Sequence, residues 1–242
     1  MTLCIKNGHL IEPSTGVSEP MDVLVDGSKV ARIGRNLKGD ETFDAKGMIV
    51  CPGLVDIHVH FREPGFESKE TIASGSNAAA AGGFTSVVTM ANTSPTIDNA
   101  GMVEFVHRRA RETSCIRIWP GATATKGMKG EEITEMAELK SVGAVAITDD
   151  GKDIQDSGVM RRMVDLPYLA HYEDHTLAHG AMNEGYNSTR LGIPGMPKAQ
   201  EEIMVERNAR LAELTGARIH IQHITTAGGV EILRRYKARG VK

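Results

Sequence analysis

The sequence has few aromatic residues, little net charge and no long apolar run, and each shortage excludes a class of protein. Aromatic residues make up 4% of the 242 residues, too few for the stacking surfaces that bind single-stranded nucleic acids. The 28 Lys and Arg nearly balance the 31 Asp and Glu, so we expect no nucleic-acid and no membrane partner. We also expect no signal peptide, because no basic start followed by an apolar segment is seen.

Cysteine is also scarce, with three residues at Cys4, Cys51 and Cys115. Their odd number and the lack of a C-x-x-C pair argue against a disulfide framework. The sequence therefore predicts a protein of the reducing cytoplasm.

Residues 1–50 show the pattern of a small, mostly β module. Two short apolar runs, Met21–Val25 and Lys29–Ile33, flank Asp26-Gly27, a dipeptide typical of β-hairpins. A further strand is predicted from Thr42 to Val50.

Residues 51–242 alternate short apolar strands with helical stretches, which is typical of parallel βα units. The predicted strands are Leu54–His58, Thr85–Met90, Ile116–Trp119, Ala144–Thr148, Pro167–His171 and Arg218–His223. The predicted helices are Lys69–Ala81, Asn99–Glu112, Glu131–Ser141, Val159–Val164, Ala199–Thr215 and Gly228–Arg239. Six such units fit either an open sheet or part of an eight-unit barrel.

Polar residues gather where the predicted strands end, and this favours the barrel. Barrel active sites lie at the carboxyl ends of the strands. The glycine-rich fingerprint of a dinucleotide-binding sheet does not follow the first strand.

His58-Val59-His60 is the sharpest signal for chemistry. Residues two apart on a strand point the same way, so both imidazoles can reach one ion. Two hydrogen-bonded histidines at a strand end are the alternative. Neutral imidazole is a good ligand for Zn²⁺.

Later strand ends supply more side chains of the types that bind metals. Asp150 is a candidate to bridge two ions, and Asp149 is the less favoured one, although both suit a turn before Gly151. His171 and His223 could complete a second metal position.

Two polar residues near the histidines are candidates for binding substrate. Arg62 should face the same mouth as His60, and its guanidinium suits a carboxylate. Asn92, after the next strand, could add an amide contact. The alternatives are a surface ion pair of Arg62 with Glu63 or Glu67 and a turn role for Asn92.

These motifs resemble those of the dihydroorotases, in the cyclic amidohydrolase superfamily. The segments that carry the resemblance are Pro52–Gly65, Asn92–Pro95, Thr148–Gly151, His171–Asp174, Leu191–Gly195 and His220–Ala227. The resemblance covers essentially the whole chain and is to the type I bacterial branch, in which an aspartate replaces the carboxylated lysine between the metals.

The resemblance implies an amidohydrolase-type (β/α)₈ barrel with a small β-sandwich portion at residues 1–50. Residues 51–242 would form the barrel, truncated after six units. It implies a Zn²⁺ enzyme of pyrimidine biosynthesis, with one or two ions, that interconverts N-carbamoyl-L-aspartate and L-dihydroorotate. The main acid–base aspartate of the family is then expected beyond residue 242.

The resemblance also assigns roles to the candidates. His58 and His60 would hold one zinc, His171 and His223 the other, and Asp150 would bridge them. Arg62 and Asn92 would bind the substrate carboxylate. A homo-oligomer is expected, with aspartate transcarbamoylase as a further candidate partner.

Two other interpretations stay open. One is another cyclic amidohydrolase, an allantoinase or a hydantoinase, although these usually have lysine at the Asp150 position and allantoinases have asparagine where this chain has Arg62. The other is a non-catalytic dihydroorotase-like subunit that supports aspartate transcarbamoylase.

Overall fold

The first unit of the computed structural model, Met1–Leu54, is built on one mixed sheet. The model describes residues 1–163 and 166–242. The strands of this unit are β1 (Thr2–Glu12), β2 (Val17–Asp26), β3 (Lys29–Gly34), β4 (Glu41–Asp44) and β5 (Ile49–Val50). They are arranged in the order β3-β2-β1-β4, with β5 also on β1. Because the unit holds a single sheet, the sandwich portion stays a prediction.

The predicted hairpin is confirmed, and one predicted strand is wrong. Asp26 pairs with Lys29 across a two-residue turn, where Gly27 has a φ of 56°. The strand expected over Thr42–Val50 is two strands, β4 and β5, because a turn with Gly47 at a φ of 78° separates them. Glycine adopts such a φ at little cost because it lacks a Cβ.

The second unit, Val55–Lys242, is built on six strands in the order β13-β10-β9-β8-β7-β6. They are β6 (Leu54–Val59), β7 (Phe84–Thr89), β8 (Arg117–Ala122), β9 (Ala146–Ile147), β10 (Tyr168–Ala170) and β13 (Ile219–Ile221). Neighbours along this sheet run parallel, as in the pairs Val87–Ile118 and Tyr168–Ile219. All six predicted strands are confirmed, and together they form the six-stranded part of a barrel.

The helices follow the strands. They are α1 (Ile72–Ala81), α2 (Ala100–Thr113), α3 (Met136–Ser141), α4 (Ser157–Met160), α5 (Tyr186–Leu191), α6 (Ala199–Thr215) and α7 (Ala227–Ala238). The bounds of α6 match the prediction, since Gly216 ends it in the left-handed region at a φ of 72°. The predicted helix Val159–Val164 begins earlier, at Ser157, and its last residue lies outside the described residues.

Two differences from the predicted pattern occur in the connections. The helix expected from Glu131 begins only at Met136, because Ile133 forms an antiparallel bridge with Thr125. Between β10 and α6 the chain forms a pair of parallel strands, β11 (Met182–Asn183) and β12 (Gly195–Met196). Helix α5 connects these two strands. Strands of two residues are too short to show a period in the sequence.

The core of the second unit lies between the sheet and its helices. The strands contribute the buried residues Val87, Ile118, Ile147 and Tyr168. Since neighbouring strands are parallel, their carboxyl ends meet at one edge of the sheet. Among the helices of the described residues, none is both long and apolar enough to cross a bilayer.

Candidate metal centre

The first pair of histidines lies at the carboxyl end of β6. The Nε2 atoms of His58 and His60 are 3.1 Å apart, as the two-residue spacing on a strand predicts. Both nitrogens face one carboxylate oxygen, Oδ2 of Asp150, at 3.7 Å and 3.4 Å. The loop after β9 carries this aspartate, so two strand ends converge here.

The second pair approaches the same carboxylate from its other oxygen. Nδ1 of His171 lies 3.7 Å from Oδ1 of Asp150, and Nε2 of His223 lies 3.6 Å from it. The two imidazole nitrogens are 3.2 Å apart. His171 directly follows β10, and His223 follows β13 after one residue.

Two groups of three ligand-type residues therefore share Asp150. They are His58, His60 and Asp150, and Asp150, His171 and His223; within each, the ligand atoms lie within 4.8 Å of one another. Asp150 is buried, and among the described residues its Oδ1 has no hydrogen-bond partner. A buried carboxylate oxygen in this state suits a cation, and nitrogen and oxygen are ligands that transition metals accept.

Charges in the centre reinforce one another. Burial opposes ionisation of Asp150, but the histidines around its carboxylate, His171 first among them, outweigh burial and lower its pKa. Asp150 in turn is the largest cause that raises the pKa of His171, to about 9, against the effect of burial. Burial lowers the pKa of His60. Asp150 is therefore held in its ionised form, and its carboxylate is the group in this centre that attracts a cation.

Asp149 has a different environment from its neighbour. Its Oδ1 accepts hydrogen bonds from the backbone N–H groups of Ala124 and Thr125, at 2.8 Å and 3.1 Å, and its Oδ2 accepts from the Thr125 hydroxyl. The side chain is fully buried among these donors. Of the two adjacent aspartates, the structure brings Asp150 to the histidines, whereas Asp149 anchors the loop after β8.

Arg62 and Asn92 lie beside the first pair of histidines. Nη1 of Arg62 donates to the backbone oxygen of Asn92 at 3.3 Å. Oδ1 of Asn92 lies 3.0 Å from Nδ1 of His60. Glu63, one alternative partner for Arg62, instead pairs with Arg109 at 2.6 Å. Asn92 therefore contacts a candidate ligand as well as the candidate carboxylate clamp.

A family model described as dihydro-orotase-like matches residues 47–228. The chain belongs to this family. It is 46% identical over 252 residues to the dihydroorotase of Pelobacter propionicus and 47% over 251 residues to that of Pelotomaculum thermopropionicum. These alignments cover 100% of this chain but 59% and 58% of the relatives, so the chain spans about three fifths of their length.

Solved structures agree with the barrel fold of this dihydro-orotase-like chain. It superimposes on an L-hydantoinase from Arthrobacter aurescens with a TM-score of 0.81 at 22% identity, covering 99% of this chain and 56% of that one. A D-hydantoinase gives a TM-score of 0.79 at 24% identity, covering 100% of this chain and 56% of that chain. These likenesses show the fold, while the family model and the curated relatives confirm the predicted resemblance to the dihydroorotases.

Glu173 is a further residue of this site that the sequence alone did not identify as a candidate. Oε2 of Glu173 lies 3.0 Å from Nε2 of His171, the ring nitrogen that faces away from Asp150. A carboxylate in this place fixes the tautomer and the orientation of a metal-binding imidazole. Its spacing of two residues from a histidine at a strand end is the signal that could have identified it.

Proposed function

We propose that this chain carries the metal centre of a dihydroorotase, which interconverts N-carbamoyl-L-aspartate and L-dihydroorotate in pyrimidine biosynthesis. The observation that carries the proposal is the convergence of two histidine pairs on the buried carboxylate of Asp150. The identity of 46% to a curated dihydroorotase over the whole chain supports the choice of substrate.

Zinc is the metal that this donor set favours. His58 and His60 would hold one ion, His171 and His223 a second, with Asp150 shared between them. Imidazole nitrogen with one carboxylate oxygen is a common set of ligands for catalytic zinc. A bound ion would polarise an amide carbonyl and make water more acidic.

The protein side chains would orient the substrate and stabilise its charge. The guanidinium of Arg62 would pair with the carboxylate that dihydroorotate and carbamoyl aspartate share, with Asn92 beside it. In ring opening, water adds to the carbonyl carbon of the ring amide, the C–N bond breaks and the nitrogen takes one proton of the water. The new carboxyl group then ionises to a carboxylate and releases the second proton to solvent. The carboxylate of Asp150, held among four histidines, would stabilise the positive charge of the bound ions during ring opening.

The metal part of this proposal is tested by counting zinc ions bound per chain. We expect His58→Ala to remove one ion and Asp150→Asn to remove both, because Asp150 belongs to both groups. His175→Ala is the matched control, since His175 is exposed and lies outside both groups. Equal zinc content in the wild type and in Asp150→Asn would contradict the assignment.

The substrate part is tested by comparing L-dihydroorotate, hydantoin and allantoin with the zinc-loaded chain. We expect L-dihydroorotate to bind more tightly than hydantoin or allantoin, and any ring opening to be that of dihydroorotate. The superposition on hydantoinases makes a hydantoin-opening enzyme the second candidate. Preference for hydantoin would favour that candidate and overturn the first.

The cellular compartment and the partners of the protein are also part of this proposal. Cys4, Cys51 and Cys115 are free thiols, which supports a reducing, cytoplasmic environment. A homo-oligomer, or a complex with aspartate transcarbamoylase, follows from the resemblance alone. Light scattering of the chain, with and without the transcarbamoylase, would decide between them.

A further inference from the structure

The side chain of His223 is packed less closely than those of the other candidate ligands. Its side chain is 46% exposed, the most of the five candidate ligands. Its backbone has a φ of 32°, a value that a residue with a Cβ seldom adopts. Such a conformation persists only where the structure around it leaves no alternative.

The chain is anchored on both sides of this histidine. Before it, the backbone N–H of Gln222 donates to the oxygen of Ala170 at the end of the sheet. After it, Thr225 and Thr226 are bound to one carboxylate. Only His223 and Ile224 lie between the two anchors, so the second anchor limits where the imidazole can point.

Glu201, in the first turn of α6, is that second anchor. Its carboxylate accepts from the backbone N–H of Thr225 at 2.9 Å and of Thr226 at 2.8 Å. It also accepts from both hydroxyls, at 2.6 Å and 2.7 Å. Glu201 is 4% exposed, so it is a buried carboxylate that is saturated with donors.

The same contacts tie the turn to the next helix. The hydroxyl of Thr226 accepts from the N–H of Gly229 and caps α7 while it donates to Glu201. A Cβ at Gly229 would lie 3.1 Å from Oε1 of Glu201, so glycine lets the helix start approach the carboxylate. Within the described part of the chain, no hydrogen bond of Glu201, Thr225 or Thr226 reaches Asp150 or the other candidate histidines, so an effect on the centre would pass through His223.

We propose that Glu201 is a positioning residue, which fixes the turn after His223 and thereby directs Nε2 of His223 toward Asp150. The inference rests on the proposed function for the role of His223 as a metal ligand. The position of the imidazole itself does not depend on that role.

The matched control is Glu206, on the same helix. It also joins α6 to α7, since its carboxylate accepts from the hydroxyl of Tyr236 at 2.7 Å and pairs with Arg235. These contacts lie at the other end of α7 from the turn. Glu206→Gln therefore reports a loss of helix contacts without a change at the turn.

The experiment measures cobalt affinity by optical titration in the wild type, Glu201→Gln, Glu206→Gln and His223→Ala. We expect Glu201→Gln to lower the affinity for one cobalt ion about 10–100-fold, as His223→Ala also does. The affinity of Glu206→Gln should stay close to that of the wild type. Wild-type affinity in Glu201→Gln, or an equal loss in Glu206→Gln, would overturn the proposal. If Glu201→Gln does not fold, Thr225→Val, which removes one hydroxyl donor, takes its place with the same criteria.

A crystal structure of metal-free Glu201→Gln separates this proposal from the proposed function. We expect the distance of 3.6 Å between Nε2 of His223 and Oδ1 of Asp150 to lengthen. An unchanged distance overturns the positioning role. If the wild type binds no cobalt, the proposed function fails, and the distance alone decides the role of Glu201.

Discussion

Replacing Asp149 by asparagine tests the difference between the two adjacent aspartates. Asparagine can keep the acceptor that faces the N–H groups of Ala124 and Thr125, and its amide can donate to the Thr125 hydroxyl. The substitution therefore removes the ionisable group and little else. The expected result is a change in how stability depends on pH, without loss of metal.

The magnitude follows from the environment of the carboxyl group. Burial raises the pKa of Asp149 from 3.8 to about 6, although the bonds from Thr125 and Ala124 oppose it. Between these values the folded state holds a proton that the unfolded state releases, so the contribution of Asp149 to stability falls as pH rises. A difference of about 2 pKa units corresponds to about 3 kcal/mol.

The assay is urea unfolding at pH values from 4 to 7 with EDTA present, in the wild type and in Asp149→Asn. We expect the wild type to lose about 2 kcal/mol relative to the variant from pH 4 to pH 7, since part of the full effect is already lost at pH 4. Zinc content at neutral pH should be the same in both proteins. A stability difference between the two proteins that does not change with pH would refute the raised pKa of Asp149. Loss of zinc in Asp149→Asn would refute the assignment of Asp149 as an anchor of the loop.

Three further substitutions test other parts of the site and its support. Arg62→Ala should keep its zinc but bind dihydroorotate about 10–100-fold more weakly by calorimetry, because the substrate carboxylate loses its partner; unchanged affinity would remove Arg62 from the site. Glu173→Gln should weaken zinc binding about 10-fold in a chelator competition, and wild-type affinity would show that the carboxylate orients nothing. Gly75→Ala should lower the free energy of unfolding by about 1–3 kcal/mol, since a Cβ there would overlap the buried ring of Phe61. Gly101→Ala, with its nearest contact at 3.4 Å, is the control, and an equal loss there would contradict the role of the overlap.

The sequence alone determined the order of the six parallel strands and of the long helices between them, and the end of the sheet where the candidate ligands lie. Apolar runs of strand length alternate with helical stretches, and that pattern depends on neighbours along the chain. The proximity of the His58 and His60 nitrogens was predictable for the same reason, because a period of two residues places both on one face of a strand. The motifs also sufficed to identify the family.

The tertiary structure alone decided which side chains meet. Asp149 and Asp150 are adjacent and chemically identical, yet one accepts from Ala124 and the other faces His58. The contact of Glu201 with Thr225 likewise joins a helix to a turn 24 residues away. Whether a carboxylate anchors a loop or attracts a cation depends on the donors that surround it, and strands and helices distant in the sequence bring those donors together only when the sheet forms.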